Sequence, residues 1–194
     1  MQRLVELLAR AMAILGGLIL TALVVLTCVS VLGRGLNTLG HSGFLEGLAP
    51  GLAAALLGTG VGPVTGDFEL VETGVAFAIF SFLPACQYYG AHATVDVFTS
   101  FLSPRANRVI IAFWEVVLAA VIVLITWRLF EGMQDKMRYG ETSFLLQYPV
   151  WWGYAASLFA AVIASLVAIY CAAARWIEIV TGKRLMPAGE GAVH

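Results

Sequence analysis

Long apolar runs alternate with short polar joints along this chain, and the lengths of the runs carry the first conclusion. Residues 11–33 (AMAILGGLILTALVVLTCVSVLG) contain no charged side chain. As a helix rising 1.5 Å per residue they span about 34 Å, enough to cross a bilayer with some tilt. A second run occupies residues 68–90; it is acidic at its start, ends in Gln87, Tyr88 and Tyr89, and contains Pro84. Neighbouring helices can stabilise such a proline inside a membrane. The third run is residues 109–130. The fourth, residues 149–174, opens on Pro149, which suits a helix start because no amide donor is lost there. These runs predict one all-α integral membrane domain over residues 1–194, with four transmembrane helices and short interfacial helices. Arg3 and Arg10 precede the first run as in a signal peptide. The run is too long for that and lacks a small-x-small cleavage site, so an uncleaved signal-anchor is expected.

The segment 35–66 follows a different pattern. It holds nine of the chain's twenty glycines, and its apolar stretch, residues 52–57, is far too short to span a bilayer. A re-entrant or interfacial helix and a plain ordered loop both fit it. It is not a phosphate-binding loop, because no strand precedes it and no Lys-Ser or Lys-Thr follows.

Composition agrees with the runs. Of 194 residues, 60% are hydrophobic and 12% charged, and the mean hydropathy is +0.89. Soluble domains carry about 25% charged residues, so lipid must cover much of this surface. A net charge of -1 argues against nucleic-acid binding. Cys28, Cys86 and Cys171 all fall in apolar runs and read as small apolar residues rather than disulfide or zinc partners.

Charge also sets an orientation. With the N-terminus inside, seven basic residues (Arg3, Arg10, Arg105, Arg108, Arg175, Lys183, Arg184) face the cytoplasm, against four outside (Arg34, Arg128, Lys136, Arg138). Cytoplasmic loops favour Lys and Arg, so both termini are expected inside. Trp151, Trp152 and Tyr154 then form the outer aromatic belt, with Tyr170 and Trp176 at the inner one.

Ionisable groups at span ends and within spans need partners, because insertion costs roughly 2.5–3.5 kcal/mol for each at a helix centre. Arg34, Asp67, Glu69 and Glu72 share the outer face. Either Arg34 pairs with Glu69 or Glu72, or all four reach water separately. Glu115 lies about 10 Å beyond Arg108 along the third helix. It is expected to hydrogen-bond a neighbouring helix or to snorkel toward the interface at Trp114; a proton or cation site is the competing reading. His92 and Asp96 share a helical face in an amphipathic segment suited to the inner interface, and with no third ligand nearby they read as a docking patch rather than a metal site.

Enzyme chemistry is not written here. His41, His92 and His194 all lie outside the spans, which argues against axial haem ligation and an electron-transfer anchor. No Gly-x-Ser-x-Gly, HExxH or paired-carboxylate pattern occurs. A self-sufficient homo-oligomeric channel or exporter using Glu115 is an alternative function.

Residues 66–103 (GDFELVETGVAFAIFSFLPACQYYGAHATVDVFTSFLS) resemble the small permease subunit of tripartite ATP-independent periplasmic (TRAP) transporters, the DctQ type. Arg34 and Asn37 match the family's Arg and Asn after its first helix. Glu69, with Glu72 one turn on, matches the acidic start of its second. Gly90, His92, Val95 and Asp96 match the element that follows. Gly140, Glu141 and Thr142 precede Pro149, Trp151 and Trp152, also as in the family. The glycine-rich segment 38–65 is longer than many members carry. The resemblance implies that Arg34, Glu69, Glu72, His92, Asp96, Glu141, Trp151 and Trp152 are structural or interface residues; Glu115 joins them on its position within the third span. It also implies two partners, a large multi-spanning permease and a periplasmic substrate-binding protein that delivers an organic acid such as a C4-dicarboxylate. Sodium ions belong to the large subunit, and this chain needs no cofactor of its own. Small residues at Gly16, Gly17, Ala155, Ala156, Ala160, Ala161 and Ala164 would let its helices approach closely.

Overall fold

A computed structural model describes residues 2–91, 104–182 and 186. Every regular element among them is helical: α1 (Gln2–Gly40), α2 (Gly43–Leu48), α3 (Pro50–Gly58), α4 (Asp67–Tyr89), α5 (Pro104–Tyr139) and α6 (Trp151–Thr181). Four of these, α1, α4, α5 and α6, are long and apolar enough to cross a membrane.

Local chemistry explains where the helices stop. Gly90 and Gly182 end α4 and α6 with φ of 62° and 69°, a left-handed turn that glycine adopts without strain. The Ser42 side chain caps α2 by accepting from the Leu45 amide, and Pro50 opens α3. Lys136 and Arg138 sit in the last turn of α5, where cations complement the helix dipole. The glycine-rich segment is therefore neither a span nor a plain loop. It folds into α2 and α3, and α3 packs on the end of α1, where a Cβ on Gly40 would lie 2.7 Å from a Leu57 methyl.

Packing runs in the order α1, α4, α6, α5. Helix α6 is the most enclosed, and the face it buries is built from Ser157, Ala160, Ala161, Ala164, Ser165 and Ala168. Small side chains let helix backbones approach in lipid, where burial of apolar groups no longer drives association. On one flank Met12 of α1, Phe77 of α4 and Ala160 meet. On the other, Ala119 and Ile122 of α5 pack on Ala164 and Ala168, with Leu83 of α4 against them. The Thr126 hydroxyl adds a 2.8 Å hydrogen bond to Ser165 and a 3.2 Å bond to the Ala161 carbonyl. Outward faces are apolar: Leu18 and Leu32 of α1 and Leu124 and Trp127 of α5 are each about three-fifths exposed. Such a surface belongs against lipid or another protein.

Candidate functional site

Polar side chains gather at the two ends of the bundle. At the end where α4 begins, the Ser30 hydroxyl of α1 donates to the Asp67 carboxylate and accepts from the Val64 amide at 3.2 Å. Asp67 also accepts from the Phe68 amide at 2.7 Å. Asn37 donates to the Val61 carbonyl at 2.9 Å. These bonds pin the turn before α4 to α1, and Gly33 makes room for it: a Cβ there would lie 2.1 Å from the Gly62 carbonyl oxygen.

Arg34 turns to Asp67, at 3.8 Å, rather than to Glu69 or Glu72. Helix rotation is the reason. Residues two and five positions beyond Asp67 stand about 200° and 140° around α4, facing away from α1. Glu69 instead accepts from the amides of Leu145 and Leu146, at 2.6 and 3.0 Å. It thereby fastens the α5–α6 loop to α4.

That loop is a tight return. Thr142 and Pro149 form an isolated antiparallel bridge, the Ser143 amide donates to the Tyr148 carbonyl at 2.9 Å, and the Val150 amide donates to the Glu141 carbonyl at 3.0 Å. Gln147 takes a φ of 55°, uncommon for a residue with a side chain. Tyr148 closes against α4, its hydroxyl 2.7 Å from that of Thr73. Glu141 pairs with Lys136 at 2.6 Å, which ties the loop back to α5. Trp151 and Trp152 stack edge to face at 6.2 Å where α6 begins, with Trp152 exposed. Below the loop a cleft of about 600 Å³ separates α4 from α5 above α6; its lining includes Glu72, Phe80, Leu129, Tyr154 and Ser157.

At the opposite end of the bundle, Gln87, fully buried on α4, donates to the Glu115 carboxylate of α5. Arg175 of α6 lies 3.9 Å from Glu115 and 3.4 Å from Glu178. Glu178 also accepts from the Met186 amide at 2.6 Å. Glu115 therefore joins three helices, a geometry suited to locking the bundle. Nearby, Arg10 donates to the Tyr89 hydroxyl at 2.8 Å and pairs with Glu6 at 2.6 Å. His92 and Asp96 lie outside the described residues.

Several pairings escaped sequence reasoning: Ser30 and Arg34 with Asp67, Gln87 and Arg175 with Glu115, and Lys136 with Glu141. The available signal was polarity at a span end, as in the Gln87-Tyr88-Tyr89 group, but not direction. Among the described residues no three His, Cys, Asp or Glu side chains come together as a metal would require. The described residues present a set of helix-to-helix fasteners and an amphipathic cleft. No curated protein and no solved structure shows a significant match to the chain. The family of tripartite ATP-independent periplasmic transporters, DctQ component, matches residues 23–178, from the middle of α1 through nearly all of α6. Matched across all four long helices, this multi-pass membrane chain belongs to the DctQ component family of those transporters.

Proposed function

We propose that this chain is the small membrane subunit that braces a large multi-spanning permease during sodium-coupled uptake of an organic acid such as a C4-dicarboxylate. A periplasmic substrate-binding protein delivers the solute, and the sodium and solute sites belong to the large subunit. Family membership supports the role. The observation that carries it is the way polar groups are deployed. Glu115, Glu69 and Asp67 are engaged in joining the chain's own elements, while the outer faces of α1 and α5 are broad and apolar. A brace needs both features: internal fasteners and an outward surface for a companion. An autonomous channel built on Glu115 is less well supported, since that carboxylate is held between Gln87 and Arg175. The chain sits in the bacterial inner membrane, as its family membership supports, and the bias of seven basic residues against four supports both termini on the cytoplasmic side.

The test is reconstitution. Vesicles containing the large permease with this chain, and supplied with the binding protein and a sodium gradient, take up the solute; vesicles lacking this chain lose most uptake. Solute uptake by this chain alone would overturn the proposal.

A further inference from the structure

The outer cleft holds a carboxylate that the fold leaves unused. Glu72 is exposed on the cleft wall, and no Lys or Arg among the described residues pairs with it. It stands about 7.5 Å along α4 from Asp67. Charged groups at such depths are retained beside a partner or a functional path. Glu69, its neighbour in the cleft, is engaged by the Leu145 and Leu146 amides.

We propose that this cleft receives the side chains of a transmembrane helix of the partner permease, with a Lys or Arg of that helix paired to Glu72. The inference rests on the bracing role above. Geometry limits the occupant. From Phe68 to Phe80 the cleft follows α4 for about 18 Å. A helix with its side chains is at least 10 Å across, so its body lies along the open mouth with one row of side chains entering. α4 and α5 meet through Gln87 and Glu115 at the inner end and leave the cleft between them at the outer one, so the newcomer completes a four-helix arrangement with α4, α5 and α6. Charge selects the chemistry. A zwitterionic phospholipid would bring its phosphate, along with its ammonium, to a wall carrying two carboxylates. A Lys or Arg brings the cation alone.

The experiment uses the complex. Tagged small subunit is co-expressed with its large permease, solubilised, and the permease recovered on the tag is measured. Glu72→Lys is expected to lower recovery at least about tenfold and Glu72→Gln about threefold, since close interfacial charge pairs couple strongly. Changing one Lys or Arg in the permease spans to Glu restores recovery with Glu72→Lys and identifies the partner side chain. Wild-type recovery with Glu72→Lys overturns the proposal. So does unchanged recovery combined with loss of a bound phospholipid in native mass spectrometry, which assigns the cleft to lipid. If the Lys variant does not fold, as judged by thermal unfolding, unchanged recovery with Glu72→Gln overturns it. Failure of the wild-type chain to recover any permease defeats the bracing role itself, and this proposal with it.

Discussion

Gly16 and Gly17 are adjacent in sequence and opposite in surroundings. A Cβ on Gly16 would lie 2.8 Å from the Ser81 Cβ and 3.4 Å from the Ala78 carbonyl oxygen; one on Gly17 would meet nothing within 4 Å. Carbon atoms pack best about 3.5–4.0 Å apart, so Gly16→Ala forces α1 and α4 apart by about 1 Å at this level. A gap of that size forfeits roughly a quarter to a half of the dispersion attraction across it. The seam affected includes Met12 and Phe77, both buried. Overpacking of this kind costs about 1–3 kcal/mol. Each substitution also favours the helix by up to about 1 kcal/mol. Gly16→Ala should therefore destabilise the chain by about 1–2 kcal/mol, and Gly17→Ala should stabilise it by up to about 1 kcal/mol. In a chain of this size a kilocalorie moves Tm by about 2–4 °C, so the two variants, which differ by the overpacking cost, should separate by about 2–12 °C. Thermal unfolding in detergent, followed by tryptophan fluorescence, reads the difference. All five tryptophans lie on α5 and α6, so the signal reports the bundle rather than the altered helix. Equal shifts, or a larger loss at position 17, would refute the close approach of α1 to α4.

Three other outcomes follow from the same contacts. Gly33→Ala drives a Cβ into the Gly62 backbone and should cost about 3 kcal/mol, while Gly35→Ala, with open space around it, should not; faster amide exchange at Val64 in the first variant alone is the check. Glu115→Ala breaks the junction of α4, α5 and α6 and should cost about 2 kcal/mol, with Glu115→Gln costing less because it preserves the shape and one acceptor; Tm values for the pair, if equal to wild type, would count against a locking role. Glu69→Ala removes the acceptor of the Leu145 and Leu146 amides, so hydrogen exchange there should rise severalfold while α6 stays protected.

The spans were legible because apolar runs of bilayer length have few alternatives, and α1, α4, α5 and α6 each contain one. Their true ends were less so. α1 continues to Gly40, past Arg34, Asn37 and Thr38, because polarity ends a lipid-facing segment without ending a helix. Thr38 returns its hydroxyl to the Arg34 carbonyl and Asn37 reaches the Val61 carbonyl, so both are accommodated. The glycine-rich segment was ambiguous for a related reason: α3 is short and depends on packing against α1, which no local pattern records. A cation and three acids at one membrane face could be read as a set, but which acid met Arg34 depended on helix rotation. Glu115 was visible as a carboxylate at a costly depth. Its bond to Gln87 and its proximity to Arg175 join residues 28 and 60 positions away, distances that only the folded arrangement closes.

The order of packing has a consequence for biogenesis. α1 lies along α4 and α5 along α6, so the chain consists of two antiparallel pairs made one after the other, joined where α4 meets α6. The Gln87, Glu115 and Arg175 junction draws on both pairs, and its last member arrives only with the final helix. Until α6 is in place the Glu115 carboxylate has Gln87 alone as its partner, so the junction closes only when the last helix joins the bundle.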